Sequence, residues 1–289
     1  MNTEKQHKNL SQVDAESRAF FSKGEISWEK SKADIWGGLE KKLHEKPSAK
    51  VVPLIRRSSV WYVAASIALL ISVGGFLAFY SVTKNCPDGQ HYTTTLPDGS
   101  FVELNAGSFL KYYPNRWLFS REVFFEGEGF FKIVKGKKFE VVSKSAKTVV
   151  LGTSFNIYSR DGRYSVTCLT GKVKVVSANN STVQLSPRGH ADVNANGEIT
   201  VVENYQPDRA ISWRNSQFIF TGAPLSEVVS EIGRQYGVSI RLKKNFNLNY
   251  TGNFNKETNV EKVLDLVCKP LAISFVKKSD KEYIIIQNN

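Results

Sequence analysis

The side chains best suited to metal binding or nucleophilic chemistry are sparse in this sequence. The histidines are His7, His44, His91 and His190, and none falls in a HExxH or HxxxH spacing, so no helix offers a zinc pair. Cys86, Cys168 and Cys268 lie 82 and 100 residues apart, which excludes a CxxC metal or redox pair. Cys168, between Thr167 and Leu169, reads as a buried thiol in a strand. Gly127-Glu128-Gly129 begins like a dinucleotide loop, but the third glycine and the following helix are missing. Glu126 and Glu128 could in principle form an acid–base pair; their strand-and-turn setting predicts solvated turn carboxylates instead. There is no P-loop and no GxSxG elbow. The sequence therefore predicts no catalytic residues, no cofactor and no metal.

The elements that would have to position any site divide sharply. From Ser58 to Thr83 there is no charged residue, and the stretch Val60–Val82 spans about 34 Å as a helix, enough for a hydrocarbon core of about 30 Å. Trp61, Tyr62 and Tyr80 stand near its ends, as interfacial aromatics do. It starts too far along the chain for a secretory signal peptide, so it reads as a retained span. Six basic residues lie between Lys41 and Arg57, and only Lys84 lies between Thr83 and Ser100. That asymmetry predicts residues 1–57 in the cytoplasm and residues 84–289 across the membrane. The net charge of +12 is spread over both sides without a basic stripe, which argues against nucleic acid as a partner.

Residues 1–57 are too few for a large core. Helices are expected over about 11–22 and 27–45, broken at Gly24 and ended before Pro47. Trp28, Ile35, Trp36, Leu39 and Leu43 recur at helical spacing in the second. Two readings stand open: these side chains pack on one another in a small bundle, or they form a docking face for a cytoplasmic partner.

Residues 84–206 read as an all-β domain, a solenoid-like roll or a sandwich. Its expected strands lie between Phe101 and Glu203, with turns at Pro97-Asp98-Gly99, Gly127, Gly136, Asp161-Gly162, Gly171, Asn179-Asn180 and Asn196-Gly197. Residues 207–289 change pattern. A strand Gln217–Phe220 precedes a helix from Pro224 to Tyr236 with Gly237 as C-cap, and strands Val238–Leu242 and Tyr250–Phe254 follow. Thr258 to Glu261 fits a capping box opening a second helix, and strands Ile273–Lys277 and Tyr283–Ile286 complete a β-α-β-β-α-β-β module. The fold class is thus mainly β with α+β: helical head 1–57, span 58–83, β-domain 84–206 and α+β module 207–289.

Several blocks resemble a known family. Leu96–Ser100 (LPDGS) and Val102–Ser108 (VELNAGS) are similar to the opening of the periplasmic domain of FecR-type anti-sigma regulators of the kind found in Bacteroidetes-like bacteria. Arg121–Ile133 (REVFFEGEGFFKI) resembles the family's R-V-L-x-G-E-A-[FY]-F-x-V block, with Gly129 where alanine is usual. Val150–Arg160, Val166–Val175 and Leu185–Val193 resemble the next three blocks, the last with Arg188 inserted before Gly189. Ser212–Ile240 and Tyr250–Phe254 resemble the family's C-terminal domain, itself similar to the short N-terminal module of secretins and TonB-dependent transducers.

The resemblance implies a single-pass inner-membrane protein without enzymatic activity. Its head would bind an extracytoplasmic-function sigma factor. Its periplasmic part would receive a signal from a TonB-dependent outer-membrane transducer, with output passing through site-specific and intramembrane proteases. The head residues Trp28, Ile35, Trp36, Leu39 and Leu43 are then expected to bind the sigma factor. An exposed sheet edge in the C-terminal module, at Gln217, Phe218, Ile219 and Phe220 or at Tyr283, Ile284, Ile285 and Ile286, is expected to pair with the transducer's signalling domain. A membrane-anchored scaffold or glycan-binding protein, and an enzyme with an unrecognised site in the β-domain, are the alternatives.

Overall fold

The computed structural model describes residues 15–20, 22, 24, 29–44 and 57–287. The chain divides into two compact units, Met1–Ala65 and Ser66–Asn289. In the head, residues 15–20 are helical and a second helix runs Lys32–His44. It begins later than the periodicity suggests because Ser31 caps it. The Asp34 amide donates to Ser31 Oγ at 3.2 Å, and the Ser31 amide donates back to Asp34 Oδ2 at 3.2 Å. Lys41, Lys42 and His44 lie at the opposite end, where the helix dipole favours cations. Trp28 lies outside the described residues.

The apolar helix runs Arg57–Phe79, and Val60–Phe79 is long and apolar enough to cross a membrane; none of it is buried against protein. It stops three residues short of the expected Val82. Only Tyr80 and Ser81 separate it from a strand Val82–Cys86, and Val82 packs against the β-domain core. This strand was not anticipated, because its first residues continue the uncharged run.

The β-domain is a pair of sheets joined by one long strand, Arg121–Lys132. Its first half, to Glu126, pairs with Ser108–Tyr112 and, in parallel, with Phe139–Val142. Its second half, from Gly127, pairs with Phe101–Leu104 and Ser154–Arg160. The turn expected at Gly127 is instead the point where this strand passes from one sheet to the other. Val82–Cys86 is an edge strand of the first sheet, paired only with Ser108–Tyr112 over five residues. Tyr92–Thr95, also unanticipated, is an edge of the second. Alternation along the strands turns one face inward, and Leu104, Leu110, Phe125, Phe131, Phe139, Phe155, Ile157 and Tyr164 fill the core. Phe131 and Phe155 stack at 5.2 Å, and Tyr164 Oη meets Thr148 Oγ1 at 2.6 Å inside it.

The C-terminal module follows the expected element order but splits its strands between two small sheets. Gln217–Pro224 pairs with Asn249–Asn255 in one; Ser239–Leu242, Glu282–Gln287 and Ile273–Ser279 make the other, in that order. The helices Leu225–Tyr236 and Val260–Cys268 cover them, burying Leu225, Val228, Ile232, Val263, Leu264 and Val267. Pro224 is the N-cap of the first helix and Gly237, at φ 66°, its left-handed C-cap. In the second the cap is Asn259, whose side chain accepts from the Glu261 amide at 2.8 Å, not Thr258.

Candidate functional site

The expected edge at Tyr283–Ile286 does not exist. That strand is central in its sheet, flanked by Ser239–Leu242 in parallel and Ile273–Ser279 in antiparallel pairing, with Tyr283 and Ile285 buried. A strand with a hydrogen-bonded neighbour on each side has no free ladder for a third. Gln217–Phe220 is different. It belongs to a two-stranded sheet, so one side is unpaired, and residues 216–224 line a cleft of about 820 Å³ between the module and the β-domain.

The floor of this cleft is polar and tightly bonded. Glu128, from the long central strand, accepts from Asn105 Nδ2 at 2.8 Å and Asn156 Nδ2 at 3.2 Å. Asn156 Oδ1 accepts from Trp213 Nε1 at 3.3 Å, and Asn105 Oδ1 accepts from Gln235 Nε2 at 2.6 Å. Gln235 Nε2 also donates to Glu231 Oε1 at 2.9 Å, and Arg234 holds the other Glu231 oxygen at 2.8 Å. The clamp is closed by Arg214 on Glu103 at 2.8 Å, Arg163 on Glu227 at 2.5 Å, and the Gly89 amide on the Arg234 carbonyl at 2.6 Å. The module is thus folded back on the β-domain through a network whose partners lie on both sides.

Glu126 and Glu128 are therefore not solvated turn carboxylates. Glu126 accepts from the Lys144 amide at 2.8 Å and Ser159 Oγ at 3.1 Å. Removal from water, then the neighbouring Glu231 carboxylate, raise Glu128 to about 7. Glu231 goes the other way: burial opposes its charge, but Arg234 and Arg160 hold it ionised and lower its pKa. Of the two carboxyls, Glu128 is therefore the one that takes up a proton first as pH falls. Sequence reasoning missed this because Glu-Gly-Glu-Gly reads as a turn, while the residues that bury it come from the far end of the chain.

A second arrangement in the cleft also went unread. His190 Nδ1 lies 2.7 Å from Thr167 Oγ1, and His190 Nε2 lies 3.0 Å from Asp192 Oδ2. Hydroxyl, imidazole and carboxylate in line is the order of a nucleophilic relay. Here it follows from strand geometry: His190 faces Thr167 across paired strands, and Asp192 shares its strand face two residues on. The Thr167 residue is 2% exposed, and Tyr205 stacks on the imidazole at 4.2 Å. With the hydroxyl bonded to the imidazole and the ring covered by Tyr205, the trio braces the cleft wall. The hydrogen bond from His190 holds Asp192 low. The spacing His190-Ala191-Asp192 was the available signal. Among the described residues no group of three or more His, Cys, Asp or Glu is placed to hold a metal, and the three cysteines are buried and unpaired.

In the head, four of the five predicted stripe residues, Ile35, Trp36, Leu39 and Leu43, lie on one helix and are exposed. The helix Lys32–His44 buries none of its residues, and Trp36 and Leu43 are 62% and 74% exposed. Ile35 and Leu39 are exposed beside them.

Comparison with known proteins places these parts together. A family model described as FecR protein matches residues 83–174, and one described as FecR, C-terminal, matches 217–286. Two crystal structures of a candidate anti-sigma factor from Parabacteroides distasonis are similar to this chain at 30% and 29% identity, each with a TM-score of 0.66. The likeness covers 73% and 72% of this chain and all of the other. No curated protein matches. One apolar helix ahead of the matched β-domain fits a single-pass membrane protein. The β-domain, the module and a structural relative that is covered from end to end lead to one conclusion: this chain belongs to the FecR family of anti-sigma factors, regulators of sigma factors rather than enzymes.

Proposed function

We propose that the head, residues 1–57, holds an extracytoplasmic-function sigma factor through the face formed by Ile35, Trp36, Leu39 and Leu43, and that Trp28 also takes part in binding. The observation that supports this reading is a helix that displays four large apolar side chains and buries none. In a regulator whose family partner is a sigma factor, such a stripe is a face awaiting a helix or groove. Aromatic anchors at interface centres commonly cost about 2 kcal/mol or more on truncation. Trp36→Ala is therefore expected to weaken binding of the cognate sigma factor about 30-fold or more. Titration of the sigma factor onto the full chain measures it, with helicity recorded alongside. Wild-type affinity in the Trp36→Ala variant would remove the assignment.

The chain lies in the inner membrane, in this reading, with the head in the cytoplasm and residues 84–289 in the periplasm. Six basic residues before the span against one after it support that orientation. Reporter fusions after Pro47 and after Asn85 test it: a periplasm-dependent reporter is expected to be silent at the first and active at the second, and the opposite pattern would invert the scheme.

The C-terminal module receives the signal from the periplasmic signalling domain of a TonB-dependent transducer, with Gln217, Phe218, Ile219 and Phe220 as the receiving edge. Support comes from the unpaired side of this strand and the cleft beside it, where an added strand would gain main-chain hydrogen bonds. The β-domain transmits this without catalysis. Site-specific and intramembrane proteolysis then releases the head; Gly74 and Gly75, two poor helix formers within the span, mark where it would unwind most readily.

A further inference from the structure

At the end of the β-domain where the spanning helix joins it, two of the most exposed large side chains among the described residues stand next to each other. Leu118 and Phe119 are 81% and 90% exposed. They follow a short 3-10 turn, Pro114–Arg116, whose side chains reach back to the helix. Asn115 Nδ2 donates to the Leu77 carbonyl at 2.8 Å, and Arg116 Nε donates to the Ala78 carbonyl at 2.7 Å. The Arg116 guanidinium also lies 4.9 Å from the Phe79 ring centre. These are last-turn carbonyls, of the kind a helix leaves short of internal partners, although the Leu77 carbonyl also accepts from the Tyr80 amide at 3.3 Å. Val60–Phe79 occupies about 30 Å, the full depth of a hydrocarbon core, so its last turn lies at the bilayer boundary. Side chains that bond that turn are at the same depth, and Leu118 and Phe119 are their immediate neighbours in the chain.

The fold fixes this tip and ties a lysine-bearing loop to the strand that follows it. Trp117 turns inward against Tyr112 and Phe139, at 5.7 and 6.0 Å, which anchors the loop and leaves the next two residues outside. Two residues on, Arg121 is paired with Asp98 and binds the neighbouring loop, donating to the Lys137 carbonyl at 2.6 Å and the Val134 carbonyl at 3.0 Å. That loop reads Val134-Lys135-Gly136-Lys137-Lys138, all exposed, with Lys138 also paired to Glu140 at 3.2 Å. An apolar tip at interfacial depth beside three lysines fits a surface of anionic headgroups over acyl chains.

We propose that Leu118 and Phe119 insert into the bilayer that the helix crosses, and that Lys135, Lys137 and Lys138 bind its anionic headgroups, so that the β-domain stands on the membrane by a second foot.

The test uses the full chain in vesicles, with a spin label on Phe119→Cys or, as reference, on Lys281→Cys. Cys86, Cys168 and Cys268 are buried and leave the introduced thiol as the reactive one. In vesicles of about three parts phosphatidylcholine to one part phosphatidylglycerol, the label at 119 is expected to collide with oxygen in preference to a water-soluble nickel chelate, and the label at 281 the reverse. Equal nickel accessibility at both positions would overturn the insertion. A lysine close to an anionic surface shifts local partition about fivefold. Replacing the three lysines with glutamine should therefore make the 119 label more nickel-accessible in anionic vesicles and not in pure phosphatidylcholine. An unchanged depth in anionic vesicles would remove the lysines from the foot.

Discussion

Gly127→Ala is expected to destabilise the β-domain by about 3 kcal/mol or more, from two separable costs. Gly127 has φ 117°, a backbone conformation that side-chain-bearing residues rarely adopt, and strain of this kind costs about 1–3 kcal/mol. A methyl group there would also lie 2.4 Å from Ser108 Oγ and 2.6 Å from Ser108 Cα. The Cα belongs to a strand paired on both sides and has no room to retreat, so overpacking adds about 1–3 kcal/mol. At about 2–4 °C per kcal/mol for a body of this size, thermal unfolding should shift down by about 10 °C. Gly129→Ala is the control, two residues along the same strand. Its added methyl would meet the Phe125 ring at 3.1 Å and the Glu103 carbonyl at 3.3 Å, tight contacts that shifts of a few tenths of an ångström relieve. It also restores the residue usual in the family block, and its cost should stay within about 1 kcal/mol. Equal melting of the two variants would show that Gly127 is not the corner between the sheets.

Glu128→Gln should stabilise the chain above neutral pH and have little effect in acid. A carboxyl whose folded pKa is raised favours the folded state where it is protonated. That contribution is complete below the unfolded value near 4.5 and is lost as pH rises through about 7. Each pKa unit corresponds to about 1.4 kcal/mol, and water reaching Glu128 from the cleft reduces the sum, leaving about 1–2 kcal/mol at pH 8. Glutamine keeps the shape and carries no charge beside Glu231, so it should remove most of the decline in stability between pH 5 and 8. Urea unfolding across that interval measures it. A variant with the wild-type pH slope would mean that Glu128 is not the carboxyl whose titration sets it.

Much of this architecture can be read from the chain because its strands are amphipathic. Phe155 and Ile157 alternate with polar neighbours, and both are in the core. The helix Leu225–Tyr236 announces itself by Leu225, Val228, Val229 and Ile232, all buried. Local signals failed where a long-range partner decides the outcome. Val82–Cys86 is a strand because Ser108–Tyr112 offers it an edge, and nothing in Val-Thr-Lys-Asn-Cys distinguishes it from the tail of the span. Tyr283–Ile286 looked like an end strand because it comes last in sequence, yet the parallel pairing of Ser239–Leu242 puts it in the middle. The Glu128 network joins residues 105, 128, 156, 213, 231 and 235, separations that no spacing rule spans. The head stripe was visible as a period; whether it faced its own bundle or the outside could not be decided from the period alone.

The two-residue joint at Tyr80–Ser81 leaves no slack between bilayer and sheet. Tension on the β-domain is delivered to the helix through the five pairs that hold Val82–Cys86 against Ser108–Tyr112. Parting those pairs would pay out about 17 Å of extended chain at the membrane surface. The same edge strand thus sets both the stiffness of the tether while it holds and the length of the leash once it gives way.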